Sequence, residues 1–422
     1  MPKLYFVLVI GLFPGMISFG QQTLKGNIIT SDTHQPVISA NVFLSNTSVR
    51  TISDRNGTFS FNRFPEGRFD LIISFIGSET YIITLESNHL PANLEVVLKP
   101  KINELQEVTV EPYEKNGWDK WGTFFIENFI GSSAFATDCK LLNHGMVKFR
   151  FNKKQNTLKA FTDDRIVIEN KALGYVIKYE LIKFEYNFTT KMFYYQGYPL
   201  FEEMETGRSG VKKRWMLNRE DAYFGSMMHF MRCVYRNRLT EGGFEIRKLI
   251  VLSEAEKKRV QAIYQSQFAK SVEERKTFVS TKNMGIKNED SAAYYRKVIQ
   301  QPDEMSVLIN KILLGDSIAY AIDTITAGLK FTDHLQVRYP AKMFPDEYGR
   351  SALRSVSKGP ITSDIFLSSG KPLVVLANGS YFQGIDLISS GYWAWSEKIA
   401  SMLPFDYWPP PKNKASTGKL RL

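Results

Sequence analysis

"RTISDRNGTFSFNRF", residues 50–64, decides how the first hundred residues of this chain are read. Asp54-Arg55-Asn56-Gly57 is either a metal loop or a tight turn between strands. A calcium loop of the EF-hand kind needs an acidic residue at its fifth position and a Glu at its twelfth. Counted from Asp54, those positions hold Thr58 and Pro65, so the metal reading fails. Asn-Gly is a strong hairpin signal, because both residues tolerate the positive φ angles of a type I′ turn. Asp54 is then expected to bond backbone amides within its own turn.

Working outward, residues 23–100 alternate apolar and polar in short runs: "LKGNIIT", "ANVFLSN", "VRTIS", "GTFSFNRF", "RFDLIISFIG", "ETYIITL" and "LEVVLKP". Seven short strands separated by turn residues predict a β-sandwich.

The set Gly26, Pro36, Ala40 to Val42, then Thr51, Asp54, Gly57 and Phe59, closed by Ser74 to Gly77, resembles the carboxypeptidase regulatory-like domain. The resemblance covers about 80 residues and implies a transthyretin-like Greek-key sandwich. The same module precedes the plug of many TonB-dependent outer-membrane receptors of Bacteroidota, and "NELQEVTVEP" (103–112) is similar to the tail that ends it there. The likeness stops at that point, because a receptor barrel needs many alternating strands of about ten residues.

The first twenty residues are expected to be a cleaved signal peptide. Lys3 precedes the apolar run "LYFVLVIGLFPGMI", and Ser18 and Gly20 stand before a cut at Gln21. The run is shorter than the ~20 residues of a membrane span, and no later stretch predicts one. The expected location is therefore periplasmic or outer-membrane-associated, with peripheral membrane association open. Residues 21–111 form the sandwich in this reading, 112–123 a linker, 124–411 a basic α+β domain, and 412–422 a mobile basic tail. The formal charge is +11, with 9 basic and 12 acidic side chains in 21–120 against 44 and 31 in 121–422. Such a domain favours an envelope protein or an anionic surface polymer as partner. Nucleic acid is not expected for an exported chain.

The later domain starts strand-rich over "GMVKFRFN", "TLKAFT", "RIVIEN", "YVIKYELIKFEYNF" and "KMFYYQGYPLF". Residues 211–239 predict one helix, since Phe224, Met227, Met228, Met231, Val234 and Tyr235 recur at three- and four-residue steps. Residues 253–315 read as mixed and mainly helical, and β-signals return from 331. The stretches "FIGSSAFATDC", "YFGSMMHFMR" and "GYWAWSEKIASMLPFDY" resemble Bacteroidota envelope proteins that carry the same N-terminal module. That resemblance implies architecture and location, not chemistry.

Signals for catalysis are thin. A zinc carboxypeptidase needs His-x-x-Glu with a later His. None of His34, His89, His144, His229 and His334 has Glu three positions on. His229 and Cys233 share a helix face but show no partner ligands. No Gly-x-Ser-x-Gly elbow occurs. Ser355 to Lys358 and Ser368 to Lys371 match Ser-x-x-Lys without its companion elements. No catalytic residue, metal or cofactor is assigned.

Binding candidates remain. Arg219, Arg232 and Arg236 either gather an anion or lie on a solvated face, the latter two being four apart. Tyr392, Trp393 and Trp395, with Tyr407 and Trp408, either stack on a sugar or peptide or cap a core. Cys139 and Cys233 are either bridged, which export permits, or two buried thiols. The expectation is a non-enzymatic binding or scaffolding protein. The alternatives are an envelope hydrolase acting on peptide or glycan and an accessory of TonB-dependent transport, in which Glu104 to Val110 offers a strand to a partner.

Overall fold

A computed structural model describes residues 22–101, 112–252, 256–257, 259–263, 266, 289–300, 305–351 and 358–411. The first twenty residues expected as a signal peptide, the 103–111 tail, most of the charged run after 253, Ser355 and the basic tail lie outside these residues. The described chain falls into two units, residues 22–42 with 50–101 and residues 43–49 with 112–411.

The seven expected strands all form: β1 (Leu24–Thr30), β2 (Asn41–Leu44), β3 (Arg50–Ile52), β4 (Thr58–Phe61), β5 (Arg68–Ser74), β6 (Tyr81–Glu86) and β7 (Leu94–Leu98). They make two sheets, β4-β1-β7 and β3-β2-β5-β6, and the sandwich is as expected. Alternation decides what is buried: Leu24 and Ile28 of β1, Phe59 and Phe61 of β4, and Leu94, Val96 and Leu98 of β7 all point inward. Gly26 pairs with Phe59 on one side and Leu94 on the other. A Cβ there would meet the Phe59 ring and the Leu94 carbonyl at 2.5 Å, so only glycine fits.

The 54–57 turn differs from the hairpin expected. β3 and β4 lie in different sheets, so the turn carries the chain across the sandwich. Gly57 has φ +74°, and Asn56 is not among the residues with positive φ, which excludes type I′. Asp54 Oδ1 accepts the amides of Asn56 (2.8 Å) and Thr58 (2.9 Å). The side chain holds the turn, as Asp54 was expected to do.

The second unit begins earlier than the expected boundary at 124. Helix α1 (Gly117–Phe129) occupies half of the predicted linker. Trp118, Trp121, Phe125 and Phe129 recur at helical spacing and pack on a six-stranded sheet. That sheet contains β8 (Cys139–Leu141), β9 (Val147–Asn152), β10 (Thr157–Thr162), β11 (Ile166–Asn170), β12 (Tyr175–Asn187) and β13 (Phe193–Glu203). The long β12 pairs β13 along one edge, and β11 and then β10 along the other.

Two helices follow, α2 (Ser209–Tyr223) and α3 (Met227–Tyr235). Beyond them a five-stranded sheet runs β15-β14-β18-β19-β22, made of β14 (Glu245–Leu252), β15 (Met305–Ile312), β18 (His334–Met343), β19 (Pro360–Leu367) and β22 (Leu387–Gly391). A four-stranded sheet contains β16 (Ala319–Ala321), β17 (Thr326–Leu329), β20 (Leu373–Leu376) and β21 (Tyr381–Phe382). In the mixed stretch 253–315, residues 289–300 are helical as expected and β15 is a strand. α3 packs with these sheets around a second core containing Phe230, Met231, Val234, Val337 and Trp393. Among the described residues no helix is long and apolar enough to cross a membrane.

Candidate functional site

The single helix predicted over 211–239 is two helices meeting at a corner. Gly225 has φ +82°, and a Cβ on it would press on Ile361 and Tyr339 at 2.8 and 2.9 Å. Ser226 caps α3 by accepting the His229 amide at 3.1 Å, as an N-cap serine does. His229 Nδ1 accepts the Gly225 amide at 3.3 Å, and its ring packs among Tyr223, Phe224, Phe244 and Tyr339. The imidazole thus holds the corner. Among the described residues, no three His, Cys, Asp or Glu side chains gather as a metal set.

The three nominated arginines do not converge on one surface anion. Arg219 works with Trp215 and Asn218 on one face of α2 to grip the β11–β12 turn. Trp215 Nε1 donates to the Lys171 carbonyl (2.9 Å), Asn218 Nδ2 to that of Ala172 (2.8 Å), and Arg219 Nε to that of Leu173 (2.8 Å). Arg219 also pairs with Glu203 at 2.8 Å and stacks 4.0 Å over Tyr175. Arg232 is 1% exposed. Its Nε donates to the Asn378 carbonyl (2.8 Å), and its Nη2 to those of Phe405 (3.1 Å) and Tyr407 (3.0 Å). The guanidinium lies between the rings of Tyr223 and Trp408, at 5.2 and 3.8 Å. Burial pulls its pKa below the usual arginine value. Arg236 donates to the Arg232 carbonyl and also stacks on Trp408. Exposed cations stand elsewhere on α2, at Lys212, Lys213 and Arg214.

Of the nominated aromatics, Tyr392 and Trp393 turn inward to the same corner. Trp393 is 2% exposed, and its indole donates to the Gly225 carbonyl at 2.8 Å. Tyr392 is buried, and Trp395 donates to Ser132 Oγ at 2.8 Å. Tyr392 and Trp395 close a ring cluster with Phe344 and Tyr348. Tyr392 and Trp393 cap the core, Trp395 and Tyr407 are half-buried, and Trp408 is 49% exposed. Gly225, Tyr339, Ser363 and Trp393 pack closely enough to leave no room for a water molecule between them.

Sequence reasoning missed the next two residues, Glu397 and Lys398. Glu397 Oε1 accepts the Met227 amide (2.9 Å) at the N-terminus of α3, where the helix dipole favours a carboxylate. Even so, burial raises its pKa to about 7, against the opposing pull of the Met227 amide, Lys342 and Lys398. Burial lowers Lys398 to about 8, with Glu397 opposing, and its ammonium sits 4.3 Å over the Phe193 ring. This is the spot where the chain leaves the second core at Trp393 and enters the first at Ile399 and Ala400. The arrangement can hold or release a proton near neutrality. The available signal was an adjacent acid and base inside the aromatic run "GYWAWSEKIASMLPFDY".

Cys139 and Cys233 do not bridge; both are free thiols. They belong to different cores, Cys139 beside the first and Cys233 in the second. Burial pushes the Cys139 thiol up to about 12 and the Cys233 thiol up to about 11.

Comparison with known proteins bears on the N-terminal part. Residues 24–110 match the family of CarboxypepD_reg-like domains. The TonB-dependent receptor SusC of Bacteroides thetaiotaomicron is 32% identical over 111 residues, which is 26% of this chain and 10% of the receptor. The chain thus spans about a tenth of the length of the curated relative it matches. Among solved structures, a 9R-lipoxygenase from Cyanothece PCC8801 aligns with a TM-score of 0.14 and 9% identity, over 53% of this chain and 48% of that one. Likeness at that level carries no argument about fold.

Proposed function

We propose that this chain, whose residues 24–110 are a CarboxypepD_reg-like domain, is an exported, non-enzymatic component of a cell envelope that works by binding or scaffolding. The observation that carries the reading is that domain, together with the likeness to a TonB-dependent receptor. The signal-like first twenty residues agree with export, and the place of action is the periplasmic side of an outer membrane. The basic excess after residue 120 favours an anionic partner, an envelope protein or a surface polymer. Since Arg219 and Arg232 are committed to carbonyls, the contact falls to exposed cations such as Lys212, Lys213 and Arg214. The inward turn of Tyr392 and Trp393 argues for a surface partner rather than a pocket-bound substrate.

The test is capture of partners from cell envelopes by the full chain at low and high salt. The same capture is run with Lys212→Gln, Lys213→Gln and Arg214→Gln combined. A partner lost at high salt and lost from the triple variant supports the reading. Capture indifferent to both overturns the electrostatic part. Turnover of a peptide or glycan by the purified chain overturns the non-enzymatic part.

A further inference from the structure

The short connection from β2 to β3 is a turn, and turns run over protein surfaces. Here Ser45 is 5% exposed and Thr47 0%. The turn is shaped by its own bonds. Asn46 takes a left-handed φ of 59°, and the Leu44 amide donates to the Val49 carbonyl at 3.0 Å. Thr47 Oγ1 donates to the Leu44 carbonyl (2.8 Å) and accepts the Val49 amide (3.0 Å).

Residues 43–49 belong to the second unit, although they lie inside the 24–110 stretch that matches the family. Within that unit β13 pairs β12 along one edge. Along β13, Thr47 also makes a parallel bridge to Leu200. The Asn46 amide donates to the Pro199 carbonyl (2.8 Å), and the Phe201 amide to that of Thr47 (3.1 Å). The strand edge is thereby covered. The same residues hold the C-terminal segment. The Phe405 amide donates to the Asn46 carbonyl at 2.7 Å. The Ser48 amide donates to both carboxylate oxygens of Asp406, at 3.2 Å each, and the Ser48 hydroxyl donates to Oδ2. Residues 402–411 form no helix or strand, so their position depends on such bonds. Their other anchor is Arg232, whose Nη2 donates to the Phe405 and Tyr407 carbonyls while Nε holds that of Asn378. The bonds run unbroken from β13 through residues 46–48 and 405–407 to Arg232 on α3.

We propose that residues 43–49 are a coupling strap. Docked on β13, they fix residues 405–407 and, through these, Arg232 and α3. The ends of the strap continue into β2 and β3, so a change in those strands reaches α3. Coupling of this kind is carried by contiguous bonded elements and needs a measured linkage to establish it. The device stands whatever the chain binds.

Hydrogen exchange of the full chain, followed amide by amide, tests it. In wild type at low urea, the Asn46, Phe201 and Phe405 amides should open in one step with one urea dependence. Asn46→Val strains the left-handed turn and should quicken exchange at Phe405 at least about five-fold. Exchange in α3 should quicken with it, and that in α1 should not. Ser48→Ala removes only the hydroxyl bond to Asp406 and should act in the same direction at Phe405, which serves if Asn46→Val does not fold. Linkage is reciprocal, so Arg232→Lys, which keeps the charge and loses the forked contacts, should quicken Asn46 and Phe201. Separate urea dependences for Phe201 and Phe405, a change confined to residues 43–50 in the strap variants, or unaltered strap amides in Arg232→Lys would each overturn the coupling.

Discussion

The sandwich and the second unit bury different kinds of residue, and the difference concerns distance along the chain. In the sandwich the interior of β1, β4 and β7 is apolar, and every second residue supplies it. The second unit takes the Arg232 guanidinium into its interior and half-buries Glu397 and Lys398, and its polar bonds run over long separations. Arg232 bonds carbonyls 146 and 173 residues away, and Asn170 Nδ2 donates to the Ala400 carbonyl 230 residues away. Alternation is a local property that a short window reveals. Long polar bonds leave no local pattern, because only closure of the fold brings their ends together.

The comparison can be pressed experimentally, since all six tryptophans lie after residue 117 and report on the second unit alone. The largest effect is expected at Trp393. Its replacement by Ala deletes a buried indole and orphans the Gly225 carbonyl, which should cost about 3–5 kcal/mol. Urea unfolding by tryptophan fluorescence reads this, and a loss below about 1 kcal/mol would remove Trp393 from the centre of that core.

Next comes pH. Glu397 has a native pKa of about 7 against an ordinary value of 4.5, so between these values the native state holds a proton that the unfolded state has released. Its contribution is fully present below pH 4.5 and is lost as pH rises to about 7. The swing is on the order of 3 kcal/mol. Lys398 acts oppositely at the alkaline end, where stability rises from about pH 8 towards its ordinary 10.5. Glu397→Gln should flatten the acid limb of a stability–pH curve, and an unchanged limb would show that another group carries it.

A smaller effect belongs to the sandwich. Asp54→Ala removes two side-chain bonds to amides and should cost about 1 kcal/mol. Hydrogen exchange at the Asn56 and Thr58 amides should quicken roughly five-fold. Calcium should protect neither wild type nor variant, and protection by calcium would revive the metal loop. The smallest effect is a null one. A thiol reagent should label neither Cys139 nor Cys233 in the native protein and both after unfolding without reductant, and no label at all after unfolding would mean a bridge.

Legibility followed the same division. The seven strands of the sandwich and five strands of the next sheet were readable, because each carries its own alternation. The hairpin at 54–57 was misread because Asn-Gly describes a turn and not which sheets it joins. α1 was missed because "PYEKNGWDKWGT" looks polar until its tryptophans are placed at helical spacing on a sheet. The 211–239 helix was read as continuous because its apolar steps run through Phe224 to Tyr235, whereas Gly225 and Ser226 break it against Tyr339 and Ile361. Arg219 and Arg232 looked like surface cations because their acceptors are backbone carbonyls, which every residue possesses and no sequence pattern marks.

Residue order by itself determined the sandwich, its buried faces, the Asp54 turn contacts and the basic bias of the later chain. Each follows from spacing over a few residues or from simple counts. Tertiary structure alone decided that Arg219, Arg232, Tyr392 and Trp393 serve the packing of the fold, that Cys139 and Cys233 stay apart, and that burial raises the Glu397 pKa. These depend on which distant segments exclude water from one another, and burial is a property of the closed fold.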